Sequence, residues 1–148
     1  MRIIESSKEL EYTNMYSIMS LFKEDFIQYN WLISDYDCNY YPDNNIQHNE
    51  FYVWLNGLKL FDIISSNEIQ FIWGTFSGFD KSILYEDVIK YKIPRSECYD
   101  HWSKKDNTQN PLAIVEIVSW DSSSLLFKSK EDKFIDIFKK EFVQSIEI

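Results

Sequence analysis

The chain has 148 residues, 45% of them hydrophobic, 26% charged and 18% aromatic, with a formal net charge of −9. That length fits a single globular domain, residues 1–148, and the aromatic content excludes a disordered acidic segment, which lacks the apolar surface to offset chain ordering. Only three glycines occur, Gly57, Gly74 and Gly78, so neither a Walker phosphate loop nor a Gly-x-Gly-x-x-Gly dinucleotide turn can be written. The longest runs without a charge, Tyr12 to Phe22 and Ile69 to Phe79, are far shorter than the ~20 residues of a spanning helix. The start, Met1-Arg2-Ile3-Ile4-Glu5, meets an acid too early for a signal-peptide apolar core, so a cytoplasmic protein is expected. Cys38 and Cys98 make no disulfide framework and suit a reducing compartment, although one bridge between them stays open. A single alanine, Ala113, amid abundant Ile, Asn, Lys, Tyr and Phe is a codon-composition effect and says nothing of function.

In chain order, residues 2–5 read as a short strand. Ser6-Ser7-Lys8-Glu9 has capping-box spacing and opens a helix over roughly 8–27, whose Met15, Ile18, Met19, Phe22 and Phe26 share one apolar stripe. Tyr29 to Tyr36 is rich in β-favouring side chains and predicts a strand, followed by an exposed polar loop from Cys38 to Glu50. Phe51 to Leu55, Asn56-Gly57 and Leu58 to Ser66 read as strand, turn and helix. In that reading Gly57 takes the positive φ of the turn and Leu58, Phe61 and Ile64 pack inward. A hairpin or one continuous helix are the alternatives for this stretch.

Ile69 to Ser77 has the length and composition of a central strand, and Ser82 is placed to cap a short helix ending before Pro94. Residues 92–111 form a polar loop long enough to suggest a functional role. Leu112 to Trp120 and Leu125 to Ser129 read as an antiparallel pair turning at Asp121-Ser122-Ser123. Ser129 to Asp132 then leads into a helix with a Phe134, Ile135, Phe138, Phe142 stripe. The sum is an α+β domain: one mixed or antiparallel sheet with helices packed mainly on one face.

Candidate chemistry is sparse. Asp35-Tyr36-Asp37 on an extended strand would aim two carboxylates the same way, as metal-assisted sugar transfer needs, yet it equally suits two solvated acids at a strand end. Cys98-x-x-His101 with Cys38 and His48 offers four zinc-compatible ligands in only one tight pair. As a nucleophilic couple, Cys98 and His101 lack a third group and an oxyanion pocket. Gly74-Thr75-Phe76-Ser77-Gly78 misses the Gly-x-Ser-x-Gly hydrolase spacing by one position. No catalytic residue, metal ligand or cofactor is therefore assigned. Trp31, Trp54, Trp73 and Trp120 fall in predicted strands and are expected in the core, whereas Trp102, beside Tyr99 and His101 in the long loop, either tucks onto the domain or anchors a partner.

Charge is the stronger signal. Residues 1–80 hold 12 acids against 4 bases, residues 81–148 hold 12 against 11, and residues 24–80 hold nine acids against Lys59 alone. A one-signed face steers an oppositely charged partner and repels nucleic acid, although acidity also serves plain solubility. Asp35, Asp37, Asp43 and Glu50, with Tyr40 and Tyr41 beside them, are the expected partner-binding residues, joined by Tyr99 and Trp102.

Over Tyr29 to Pro42, Ile69 to Phe79 and Ile114 to Asp132, the chain resembles small acidic bacterial proteins associated with the immunity proteins of polymorphic toxin systems. The resemblance implies a non-enzymatic, cytoplasmic protein that neutralises a cognate toxin, a nuclease for instance, by covering its active site or a nearby surface. It transfers no functional residue. The alternative is a small metabolic enzyme or ligand-binding domain with an aromatic pocket.

Overall fold

The computed structural model describes residues 2–6 (backbone only), 14–41, 46, 51–98, 101 and 108–147. Seven strands, β1 (Arg2–Ser6), β2 (Asn30–Cys38), β3 (Tyr52–Asn56), β4 (Phe71–Phe79), β5 (Val115–Trp120), β6 (Ser124–Ser129) and β7 (Ile146–Glu147), form one sheet in the order β3-β2-β4-β5-β6-β1-β7. Every ladder is antiparallel. Among the described residues six helical segments accompany it: α1 (Met15–Met19), a 3₁₀ turn (Ser20–Phe22) and α2 (Lys23–Phe26), then α3 (Gly57–Ser66), α4 (Tyr85–Val88) and α5 (Asp132–Glu141), the 3₁₀ turn joining α1 to α2. The α+β class with a single sheet is as the sequence predicts.

One face of the sheet carries the main core. Met15, Ile18, Met19, Phe22 and Phe26 are all buried, so the predicted stripe is correct, but it is delivered by α1, the 3₁₀ turn and α2 in place of one even helix. The stripe tolerates this break because a tighter turn shifts the helix phase by only a fraction of a residue step. Phe22 meets Phe127 and Phe134 at ring-centroid distances of 5.3 and 5.4 Å, and Phe127 stacks on Phe138 at 4.7 Å, tying β6 and α5 to the first helices. Trp31, fully buried, donates its indole N–H to the Phe26 carbonyl at 3.0 Å.

The strand, turn, helix reading of 51–66 is correct in outline and wrong in two details. Gly57 has no positive φ. It opens α3, with Asn56 as the cap accepting from Lys59 N–H at 2.8 Å, and it is small because the Phe26 carbonyl oxygen would lie 2.3 Å from a Cβ there. With the helix starting one residue earlier, Leu60, Phe61, Ile63 and Ile64 face inward and Leu58 is 68% exposed. Ser82 likewise caps nothing: Leu84 precedes α4, and the Ser82 N–H donates instead to Asp80 Oδ1 at 2.9 Å.

Among the described residues the opposite face is covered by 80–98, His101 and 108–114, most of them not helical. Leu32, Phe79, Val88 and Ala113 form a small second core there, with Trp54 packed at its edge. Of the four tryptophans expected inside, only Trp31 is fully buried. Trp54, Trp73 and Trp120 are half-buried, Trp73 and Trp120 meeting edge to face at 4.8 Å.

Candidate protein-binding surface

Asp35 interrupts β2. Its φ of +47° lies in the left-handed region, and the β2–β4 register slips between Ser34 and Asp37. A bulge of this kind re-aims side chains, so Asp35 and Asp37 do not act as the side-by-side pair that an extended strand would give. The Asp35 carboxylate turns to the cover of the second face. There it accepts the Ser96 N–H at 2.8 Å, the Ser96 hydroxyl at 3.2 Å and the Glu97 N–H at 3.3 Å, with Arg95 Nε at 3.7 Å. Asp37 is exposed and accepts from the Tyr41 hydroxyl at 3.4 Å. Tyr41 is half-buried. Its oxygen accepts the Cys38 N–H at 3.0 Å, and burial raises its pKa above the ordinary phenol value.

Tyr40 stays 52% exposed next to them. Asn39 ties this end of β2 to the segment after α3, donating its N–H to the Gln70 carbonyl at 3.2 Å and accepting the Gln70 N–H on Oδ1 at 2.9 Å. Between Asn39, Asn14, Tyr16 and the stretch from Ile64 to Gln70 lies an open groove of about 650 Å³. Its lining is mainly polar, with Glu68 as the acid and Tyr16 as the aromatic. Thus one wall of the groove carries Asn39, the chain neighbour of exposed Tyr40, and the other carries exposed Glu68.

Of the residues expected to bind a partner, the structure brings Asp37, Tyr40 and Tyr41 together and uses Asp35 internally. Asp43, Glu50, Tyr99 and Trp102 lie outside the described residues. The stretch after β2 is not wholly exposed, since Ile46 is buried in the main core.

Sequence reasoning missed a second cluster, a buried polar layer beneath residues 94–98, His101 and 108–110. Glu116 on β5 and Lys128 on β6 are register partners, both almost fully buried, with Lys128 Nζ donating to Glu116 Oε1 at 2.9 Å. Lys128 Nζ also lies 3.2 Å from His101 Nδ1, and His101 Nε2 reaches the Arg95 and Ser96 carbonyls at 2.9 and 3.1 Å. Glu116 Oε2 accepts the Gln109 N–H at 2.7 Å. On the same sheet face the Ser34 hydroxyl donates to the Pro94 carbonyl at 2.8 Å. Thr75 and Ser77, cross-strand from Ser34 or Glu116, have buried hydroxyls with no hydrogen-bond partner among the described residues. The available signal was one charge set in each of two apolar strands, Val115-Glu116-Ile117 and Phe127-Lys128-Ser129. Such burial demands pairing.

Both His101 ring nitrogens are thus engaged by the protein. Cys38 sits in the main core, where burial pushes its thiol pKa up to about 12, and both cysteines are free thiols. Among the described residues no three His, Cys, Asp or Glu side chains gather as metal ligands. Comparison with family models, curated proteins and solved structures finds no significant match to this chain.

Proposed function

We propose that this chain is a non-enzymatic protein-binding domain of the immunity type, acting in the cytoplasm on a cognate toxin whose active site or adjacent surface it covers. The observation that carries the reading is the exposure of Asp37 and Tyr40 at the end of β2, on either side of Asn39, which lines an open groove together with Glu68 and Tyr16. It lies in the stretch where acids outnumber bases nine to one over residues 24–80. Tyrosine offers a rigid amphipathic anchor at low entropic cost, and the surrounding carboxylates accelerate encounter with a basic surface. A nuclease cleft, basic because it must bind phosphates, fits that charge, which an acidic protein face can imitate. Among the described residues no helix is long and apolar enough to cross a membrane.

The experiment pairs the purified chain with the product of the toxin-like gene encoded next to its own. Co-expression should relieve toxicity, and association should slow markedly between about 0.05 and 0.5 M salt as screening shortens the Debye length. Asp37→Lys with Asp43→Lys should slow association without lowering the melting temperature. Rescue that ignores salt and both reversals would move the interface away from this surface. Absence of any complex, together with a melting temperature raised by a metabolite-sized ligand, would replace the reading with small-molecule binding.

A further inference from the structure

We infer that His101 is a proton-operated latch: its neutral ring pins the residue 94–98 segment to the Glu116–Lys128 pair, and protonation releases that segment from the sheet. The geometry defines the ring's working state. Lys128 is an ammonium with only protons to offer, so at 3.2 Å His101 Nδ1 must accept from it, and the ring's one proton sits on Nε2, where the Arg95 and Ser96 carbonyls accept it. One neutral imidazole therefore bridges the sheet and its cover.

A second proton has a single place to go, Nδ1, where it would face the Lys128 ammonium. Among the described residues, the charged groups around the ring are Lys128 from β6 and Glu116 from β5. From the cover, Arg95 turns its guanidinium to Asp35 of β2 at 3.7 Å; Asp100 lies outside the described residues. The Trp120 ring stands perpendicular to the imidazole at 6.2 Å, and the His101 N–H is held by the Cys98 carbonyl at 3.3 Å. Glu116 offsets part of the repulsion but is already committed to Lys128 and Gln109. Burial first, then Lys128, lowers the His101 pKa below its ordinary value, against the smaller opposing pull of Glu116. Because the folded value is depressed, the contribution of the neutral ring is fully present above the unfolded value of ~6.5 and is lost as pH falls through the folded one.

Release would uncover the other groups of this layer: the Thr75 and Ser77 hydroxyls, and the Trp73–Trp120 pair at its edge. The proposal is independent of partner binding at the Asp37 surface, so neither stands or falls with the other.

The chain has two histidines, His48 and His101, which makes an imidazole NMR titration simple to assign with a His48→Gln variant. The full chain is titrated from pH 7.5 to 4.5 while amide exchange is followed by mass spectrometry, each rate corrected for the intrinsic pH dependence of exchange. The expected result is a His101 midpoint below ~6.5, with corrected exchange over 94–98 rising at least tenfold in step with it and β2–β4 amides unchanged. His101→Gln, which can still accept and donate but does not titrate, should remove that step. A cover whose exchange is unchanged through the His101 titration in the wild-type chain would overturn the latch, whether or not the variant folds. So would an undiminished step in His101→Gln.

Discussion

Ser96 donates twice to Asp35, sixty-one residues away: its N–H to Asp35 Oδ2 at 2.8 Å and its hydroxyl to the Asp35 carbonyl at 2.6 Å. This pair fastens the long cover to the bulge in β2. It also separates two acids that look equivalent in sequence. Asp35→Ala should cost about 1–3 kcal/mol, because the part-buried Ser96 N–H loses its acceptor, as does the exposed Glu97 N–H. Asp37→Lys should stay within about 0.5 kcal/mol of wild type while slowing partner association. Urea melts and association kinetics on the two variants check this. Equal stability losses would show that Asp37 is structural too.

Gly57 is set against backbone. A Cβ would stand 2.3 Å from the Phe26 oxygen and 2.6 Å from the Ile27 carbonyl, neither of which can swing aside as a side chain can. Gly→Ala within a helix ordinarily gains up to about 1 kcal/mol, but Gly57→Ala should lose about 1–3 kcal/mol from overpacking. A stabilised variant in thermal melts would mean that α2 and α3 are farther apart than described.

The Glu116–Lys128 pair is a cross-strand ion pair almost entirely out of water. Removing one partner strands a buried charge, so Lys128→Met or Glu116→Gln alone should cost about 3–5 kcal/mol, while the double variant should recover more than half of the summed loss. Denaturant melts of all four proteins give the coupling directly. Additive losses would mean that the two side chains act independently.

Truncation of the aromatic residues should sort by burial. Phe22→Ala and Phe138→Ala, in the main core, should each cost about 3–5 kcal/mol. Trp73→Ala, half-buried at the edge of the second face, should fall nearer 1–2 kcal/mol, within the range of ordinary substitutions. A Trp73→Ala loss as large as the two Phe losses would put its ring in the core.

The two thiols should differ in reactivity. Burial holds the Cys38 pKa near 12, leaving almost no thiolate at pH 8, whereas Cys98 is half-buried in the cover. A disulfide-exchange reagent under native conditions should label Cys98 first and Cys38 only on unfolding, as mass spectrometry would show. Faster labelling of Cys38 would contradict its place in the core.

The amino-acid sequence by itself determined the α+β class, the Met15–Phe26 and Phe134–Phe142 stripes and the central β4 strand, because periodicity and side-chain type act over a few residues and need no distant neighbour. It also determined the acidity of residues 24–80. Only the tertiary structure decided which charges are spent inside. Lys128 reaches Glu116 because the β5–β6 register sets them opposite each other, and a one-residue slip of β6 would turn Lys128 to the other face. Asp35 leaves the surface because a bulge turns it toward Ser96, and Gly57 is required by the carbonyl of Phe26, far earlier in the chain. These are relations between segments far apart in the chain. They are fixed by packing and hydrogen-bond satisfaction in three dimensions, which local pattern does not encode.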